Sequence, residues 1–319
     1  MRGLAQAAGF LTWLPVGSRE PEQARRYGSG ADSAGSTQAA IPWFPVVGGA
    51  IGLLLGGLWC GLGRVLPYGV AAALVVGADL IVTGMLHMDG LVDTADGLIP
   101  PMDRQRRLDV MRDPRAGAFG VVAAVAVLVV RFATLARFAP SVILLCGLWA
   151  LSRGMAGLVM TVMPYAKGSG GIANFFLGTA GGAHESSPGQ VYPAVGGPTT
   201  FSNVEMHGEA QFGGPLEPLV GMPGSSGDQP PGSAPRSRSR PWGLHAMGAV
   251  SGAGGAAIGA AALLSWSVRG GAEGLAGAVV GFTATSLFGF ARLGGFTGDV
   301  LGASIVMAET LGLVAAAIH

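Results

Sequence analysis

The chain has 319 residues, half of them hydrophobic and only 12% charged, with a mean hydropathy of +0.51. A soluble domain carries about a quarter charged residues, so these values exclude an ordinary soluble fold and describe a polytopic membrane protein. The net charge of +1, without a basic stripe interleaved with aromatics, gives no footprint for nucleic acid, and the 56 glycines follow no Gly-X-Y period, which excludes collagen.

In chain order, the run from Ala7 to Val16 is apolar but short, contains Pro15 and lacks a small-residue cleavage site. It reads as an interfacial or re-entrant segment rather than a signal peptide. Residues 28–39 form a polar linker. Seven stretches are long and apolar enough to cross a bilayer, at 42–62, 68–86, 118–136, 140–163, 244–267, 273–290 and 300–318. The expected fold is therefore all-α, a polytopic integral membrane helix bundle of about seven transmembrane helices. Glycines inside these runs suit close helix packing. Cys60 and Cys146 lie within apolar spans and read as packing residues, with neither a disulfide framework nor zinc spacing.

Between the fourth and fifth spans the composition changes. The segment 178–241 is rich in Gly and Pro and contains Pro230-Pro231 and the run Arg236-Ser237-Arg238-Ser239-Arg240. It has too little apolar content for a core and reads as a disordered insert. Its His184, Glu185, Glu205, His207 and Glu209 show no ligand spacing. Residues 1–177 and 242–319 are expected to form one membrane domain around it.

Fourteen Lys and Arg residues fall on one side of this topology, in the N-terminal segment and in loops two, four and six. Arg64, Arg137 and Arg269 fall on the other, while Arg131 and Arg153 lie inside spans. The positive-inside rule then puts the N-terminus and the even loops in the cytoplasm.

The most informative chemistry follows the second span. In Leu86-His87-Met88-Asp89-Gly90-Leu91-Val92-Asp93-Thr94-Ala95-Asp96-Gly97, three aspartates are spaced i, i+4, i+7. On a helix that spacing places Asp89, Asp93 and Asp96 on one face. Three neighbouring carboxylates repel one another unless a cation lies between them, and an oxygen-only set suits Mg²⁺. Downstream, Arg106, Arg112 and Arg115 belong to a cytoplasmic loop, where guanidinium groups either bind phosphate oxygens bidentately or anchor the loop to anionic lipid. Asp299 follows a glycine-rich turn ahead of the last span. There it complements the helix dipole or supplies a further metal or substrate contact. Asp79 and Glu309 lie within spans and imply an internal polar path or a paired structural role. His87 is read as a hydrogen-bonded helper of the aspartates.

These blocks closely resemble the cobalamin synthase family (adenosylcobinamide-GDP ribazoletransferase, cobalamin 5′-phosphate synthase). The resemblance rests on His87 to Gly97, on Met111-Arg112-Asp113-Pro114-Arg115-Ala116-Gly117, and on Gly294-Gly295-Phe296-Thr297-Gly298-Asp299-Val300-Leu301-Gly302-Ala303. Phe10 to Val16, Phe44 to Gly48, Leu151 to Gly154 and Pro164 to Lys167 add to it. It covers nearly the whole chain apart from 178–241. Two positions depart from the family pattern: Val306 stands where an acidic residue is usual, and a Gly-Leu-Gly-Asn pattern is replaced by Gly170-Gly171-Ile172-Ala173-Asn174.

The resemblance implies a cell-membrane transferase that joins adenosylcobinamide-GDP to α-ribazole or its 5′-phosphate and releases GMP, with Mg²⁺ as cofactor. It implies Asp89, Asp93 and Asp96 as catalytic metal ligands and His87 or an aspartate as the group taking the hydroxyl proton. Arg106, Arg112, Arg115, Asn174 and Asp299 are implied as substrate contacts. The lipid bilayer is the implied surrounding, nucleic acid is not a partner, and a membrane oligomer is left open. Two rival classes are a Mg²⁺-dependent phosphotransferase of the CDP-alcohol type, whose Asp-Gly-X-X-Ala-Arg signature is absent, and a membrane transporter, which would place charges at midplane and often carry internal repeats.

Overall fold

The computed structural model describes residues 2–12, 40–166 and 242–318. The linker 28–39, Asn174 and the segment 178–241 lie outside the described residues. The elements are helical throughout: α1 Arg2–Leu11, a 3₁₀ turn Ile41–Trp43, α2 Phe44–Leu62, α3 Tyr68–Val82, α4 Leu86–Leu98, α5 Arg104–Val110, α6 Ala118–Leu135, α7 Val142–Val162, α8 Trp242–Trp266, α9 Val268–Leu293 and α10 Gly298–Ala316. Among the described residues there is no strand, only an isolated bridge between Tyr165 and Phe296.

Five of these elements are long and apolar enough to cross a membrane: Ile41–Leu62, Ala118–Leu135, Val142–Val162, Val268–Leu293 and Gly298–Ala316. A sixth is obtained if α3 and α4 count as one span. The expected count of seven is not confirmed: five or six elements qualify among the described residues, and two of the predicted spans bear on the difference. The predicted 68–86 span does not cross straight, because α3 and α4 meet at a corner of 87°. The predicted 244–267 span coincides with α8, a helix of 25 residues that includes the apolar stretch Gly252–Trp266.

The corner has a local cause. Gly84 and Met85 both adopt φ of 60°, which glycine tolerates and methionine does not favour. The Met85 amide bonds back to the Leu80 carbonyl and the Thr83 hydroxyl to the Asp79 carbonyl, closing the end of α3. The chain leaves in a new direction, and the aspartate segment becomes a helix of its own.

α7 lies at the centre, packed against α2, α8, α9 and α10. Backbone-to-backbone approach makes this possible. A Cβ on Gly52 of α2 would fall on the backbone of Leu145 and Cys146, and one on Gly259 of α8 would meet the Leu151 amide at 2.7 Å. Without water to drive helices together in lipid, such close contact supplies the packing energy. α6 is peripheral instead, exposing Phe119, Val122, Val125, Val129 and Phe132 as an apolar stripe toward lipid. The short α1 packs on α2, with Ala7 and Leu11 buried and Phe10 stacked on Phe44 at 5.5 Å between centroids.

The intramembrane acids are paired. Arg131 of α6 donates to Asp79 of α3 at 2.8 Å, to Glu309 of α10 at 2.7 Å and to the Thr310 hydroxyl at 2.8 Å. Arg153 of α7 forms an ion pair with Glu309 and donates to Ser152 at 2.9 Å. The Trp149 indole donates to Asp79 at 3.1 Å. Of the two readings open for Asp79 and Glu309, the geometry supports the paired one.

Candidate functional site at one end of the bundle

α4 is amphipathic about its aspartates. His87, Met88, Gly90, Leu91, Thr94, Ala95, Gly97 and Leu98 are buried, whereas Asp89 is exposed and Asp93 and Asp96 are half-buried. At 100° per residue the three carboxylates fall within one narrow sector. His87 lies about half a turn away on the opposite face. Its Cα stands 3.3 Å from where a Cβ on Gly302 would be, so it is directed into the α4–α10 contact. The structure therefore separates His87 from the carboxylates it was expected to assist.

Asp96 has a defined task. One of its oxygens accepts from the Gly117 amide at 2.7 Å and the other from the Gly120 amide at 2.9 Å. These amides open α6, so Asp96 caps that helix from a distance and complements its positive end. A Cβ on Gly117 would lie 2.5 Å from the Asp96 carboxylate, and one on Gly120 would collide with it. The two glycines are a cradle for this side chain. Each carboxylate oxygen has a second lone pair, so Asp96 keeps acceptor capacity toward the open face.

Asp299 reaches the same place from the far end of the sequence. Thr297 caps α10, its hydroxyl accepting from the Val300 amide at 3.2 Å, and Asp299 occupies the first turn. Its backbone lies against Gly90, between Asp89 and Asp93 in sequence on α4. Beside it the segment Pro164–Ala166 pairs with the turn after α9: the Ala166 amide donates to Phe296 at 2.8 Å and the Phe296 amide to Pro164 at 2.9 Å. Burial, with the Asp299 charge adding to it, pushes the Tyr165 phenol up to about 12, and the Arg112 charge opposes the rise. Tyr165 thus lies within electrostatic reach of both Asp299 and Arg112, and it stays a neutral hydroxyl donor at physiological pH.

The arginines divide by role. Arg106 and Arg112 are exposed, and Arg112 stands 3.7 Å from Asp109. Arg115 is taken up by a bidentate contact to Asp113, at 2.9 and 2.7 Å. That contact holds the Asp113 carboxyl down at about 2 and raises Arg115. Three further arginines, to which the sequence assigned no role, hold the loops together. Arg104 donates to the carbonyls of Leu293 and Ala166 at 2.7 and 2.9 Å. Arg107, buried, donates to Gly97 and Leu98 at 2.9 and 2.8 Å, satisfying the carbonyl end of α4. Arg292 also reaches Leu98, at 3.2 Å. Only the clustering of arginine near the helix ends could have suggested this.

The structure thus gathers the aspartate face, Arg112, Tyr165 and Asp299 at one end, while Asn174 lies outside the described residues. Among the described residues no three His, Cys, Asp or Glu side chains form a ready-made metal cage. The expected three-carboxylate site is therefore not closed here, although Asp89 and Asp93 share the open face of α4 as an all-oxygen donor pair of the kind Mg²⁺ accepts alongside substrate phosphates. The opposite end carries Arg137, Arg269, Trp266 and the last residues of α10 around a cavity of about 730 Å³.

A sequence model of the family described as cobalamin-5-phosphate synthase matches residues 3–190. A protein of Thermosynechococcus vestitus named adenosylcobinamide-GDP ribazoletransferase is 38% identical over 171 residues, which are 51% of this chain and 62% of the relative. Proteins of the same name from Alkalilimnicola ehrlichii and Chlorobium phaeovibrioides are 38% and 34% identical, over 53% and 58% of this chain and 65% and 70% of their own lengths. The chain therefore spans somewhat under two thirds of the first two relatives. No solved structure matches. With the motif segments assembled at one end and the family match covering more than half its length, the chain belongs to the cobalamin-5-phosphate synthase family.

Proposed function

We propose that the protein is an adenosylcobinamide-GDP ribazoletransferase of the cell membrane, joining adenosylcobinamide-GDP to α-ribazole or α-ribazole 5′-phosphate and releasing GMP. The observation that carries this reading is the meeting of the open face of α4 with Asp299 across Gly90, beside Arg112 and Tyr165. A diphosphate needs cationic neutralisation and directional donors, and this end of the bundle offers both.

Asp89 and Asp93 would hold Mg²⁺ together with diphosphate oxygens, and Asp96 and Asp299 flank them. The ion, when bound, neutralises the diphosphate and favours departure of GMP. Arg112 and Arg106 supply guanidinium donors for the phosphate oxygens, and the neutral Tyr165 hydroxyl a further one. In the reaction a ribose hydroxyl of the acceptor forms a bond to the cobinamide phosphorus, the bond from that phosphorus to the GMP oxygen breaks, and the hydroxyl proton passes to a base. An acceptor phosphorylated at its 5′ oxygen has no free hydroxyl there, so the attacking oxygen common to both acceptors is a secondary one. With His87 on the buried face, a carboxylate of the α4 row is the base this geometry supports. The positive bias of the loops at this end supports a cytoplasmic site.

The test is GMP release by purified membranes supplied with both substrates, with and without Mg²⁺. Wild type should release GMP only with Mg²⁺, and Asp93→Asn should abolish release while accumulating normally in the membrane. Substrate uptake into vesicles without GMP release would favour a transporter and overturn the proposal.

A further inference from the structure

Two acidic and two basic side chains meet in the interior of the bundle, each less than a tenth exposed: Asp79, Arg131, Arg153 and Glu309. The transferase reading gives them no chemistry. We propose that this quartet is a positioning device that fixes the depth and rotation of α4 against α10, and so holds the aspartate face in register with Asp299.

Four elements around the site, α3, α6, α7 and α10, each contribute one member. Asp79 stands one turn before the corner that launches α4, and the Thr83 hydroxyl ties that corner to the Asp79 carbonyl at 2.7 Å. Arg131 belongs to α6, whose first turn Asp96 caps. Trp149, Ser152 and Arg153 belong to α7, which leads into Pro164–Ala166. Glu309 and Thr310 belong to α10, which begins at Asp299.

The geometry is directional. The planar guanidinium of Arg131 spends its three nitrogens on Thr310, Asp79 and Glu309, and also reaches the Val306 carbonyl at 3.0 Å. A fork with fixed donor angles sets orientation in a way that apolar packing does not. Val306 then passes that orientation to α4, because its side chain packs with Met88 and Leu91 of α4 and with Val127 and Ala303. His87 lies within electrostatic reach of both Arg153 and Arg131. The Trp149 ring lies beside both guanidinium groups, at 5.7 and 5.9 Å.

Stability alone does not account for the quartet. A well-packed apolar set replaces a buried ion pair at no loss or with gain, and charges at bilayer depth are costly. The feature that apolar side chains cannot reproduce is register. Removing one partner would strand a charge, so the informative variants remove a balanced pair: Asp79→Leu with Arg131→Leu, or Arg153→Leu with Glu309→Leu.

The experiment uses the full chain lacking Cys60 and Cys146, with spin labels on cysteines at Ile99 and Ile318. These exposed positions end α4 and follow α10. Electron–electron resonance reads the distribution of distances between them, independently of any reaction. The balanced pair variants should accumulate in the membrane with a broadened or shifted distribution. Their GMP release should fall roughly 10- to 100-fold, as small misplacements of reacting groups do, with a raised Mg²⁺ requirement. An unchanged distribution in a variant that accumulates overturns the proposal. So does failure of both variants to accumulate, which would make the quartet a requirement of folding. The activity arm rests on the ribazoletransferase reading and the distance arm does not, so a broadened distribution in a protein without GMP release would sink that reading alone.

Discussion

Gly90 and Asp299 touch backbone to backbone: a Cβ on Gly90 would stand 2.8 Å from the Asp299 carbonyl oxygen and 3.2 Å from its Cα. Gly302, one turn further along α10, faces His87 and Gly90 in the same way. The two helices cross where each contributes a glycine. This crossing brings the acid of the last motif beside the aspartate row of the first.

Gly90→Ala should therefore damage the site although alanine is the better helix former. The added methyl meets backbone, which cannot rotate aside, so α4 and α10 must separate. GMP release is expected to fall roughly 100-fold with the protein still inserted. Gly57→Ala, on a face with no atom within 4 Å, serves as the control and should retain full activity. Equal activity in the two variants would show that the crossing has no bearing on function.

Arg104 is the side chain that spans the loops, binding a carbonyl at the end of α9 and another in Pro164–Ala166. Lysine keeps the charge but cannot present two nitrogens at the angle a guanidinium does. Arg104→Lys should behave like Arg104→Ala, each losing hydrogen bonds from a charged donor that contribute about 1.5–3 kcal/mol. Thermal unfolding in detergent and GMP release would both decline. Full rescue by lysine would reduce Arg104 to a surface charge.

Much of this was legible from residue spacing. The periodicity that put Asp89, Asp93 and Asp96 on one face survives as the open side of α4, and most predicted spans coincide with helices. The corner at Gly84 and Met85 was not legible, because the left-handed conformation of a methionine is imposed by what surrounds it and not by its own preference. The capping role of Asp96 was hidden too. Its partners are backbone amides at Gly117 and Gly120, and a sequence does not say which carboxylate an amide will find. Arg131 and Arg153 were visible as charges inside spans, but their pairing with Asp79 and Glu309 needs four helices in place. His87 misled by adjacence: two residues from Asp89 along the chain is about half a turn around the helix.

Tyr165 should report on the charges around it. Its phenol is held up near 12 against an ordinary 10, chiefly by burial and then by Asp299. Asp299→Asn should lower the ionisation of Tyr165 part of the way toward 10, and Arg112→Ala should raise it further. Because the folded value is the higher one, the unfolded chain releases the proton first as pH rises, so this group costs stability between pH 10 and 12 and has no effect at neutrality. Spectroscopic titration with Tyr27, Tyr68 and Tyr192 replaced by phenylalanine isolates the signal. An ionisation indifferent to Asp299 would separate Tyr165 from the site.

The two ends of the bundle should lie on opposite sides of the membrane. Gln105 belongs to the end with the aspartate face. Val65 and Val268 belong to the other: a Cβ on Gly63 would meet Pro140, and Arg137 and Arg269 line one cavity there. Val65 and Val268 are 77% and 79% exposed, so cysteines placed there should react freely. In a background without Cys60 and Cys146, an impermeant maleimide added to intact cells should label Val65→Cys and Val268→Cys. It should leave Gln105→Cys untouched until the membrane is opened. The charge bias requires that result, since arginines and lysines concentrate in the loops at the Gln105 end. Labelling of Gln105→Cys from outside would invert the protein in the membrane and remove the site from substrates made in the cytoplasm. Labelling of Val65→Cys and Val268→Cys from different sides would mean that an odd number of crossings separates them, so that either α8 or the α3–α4 pair fails to cross.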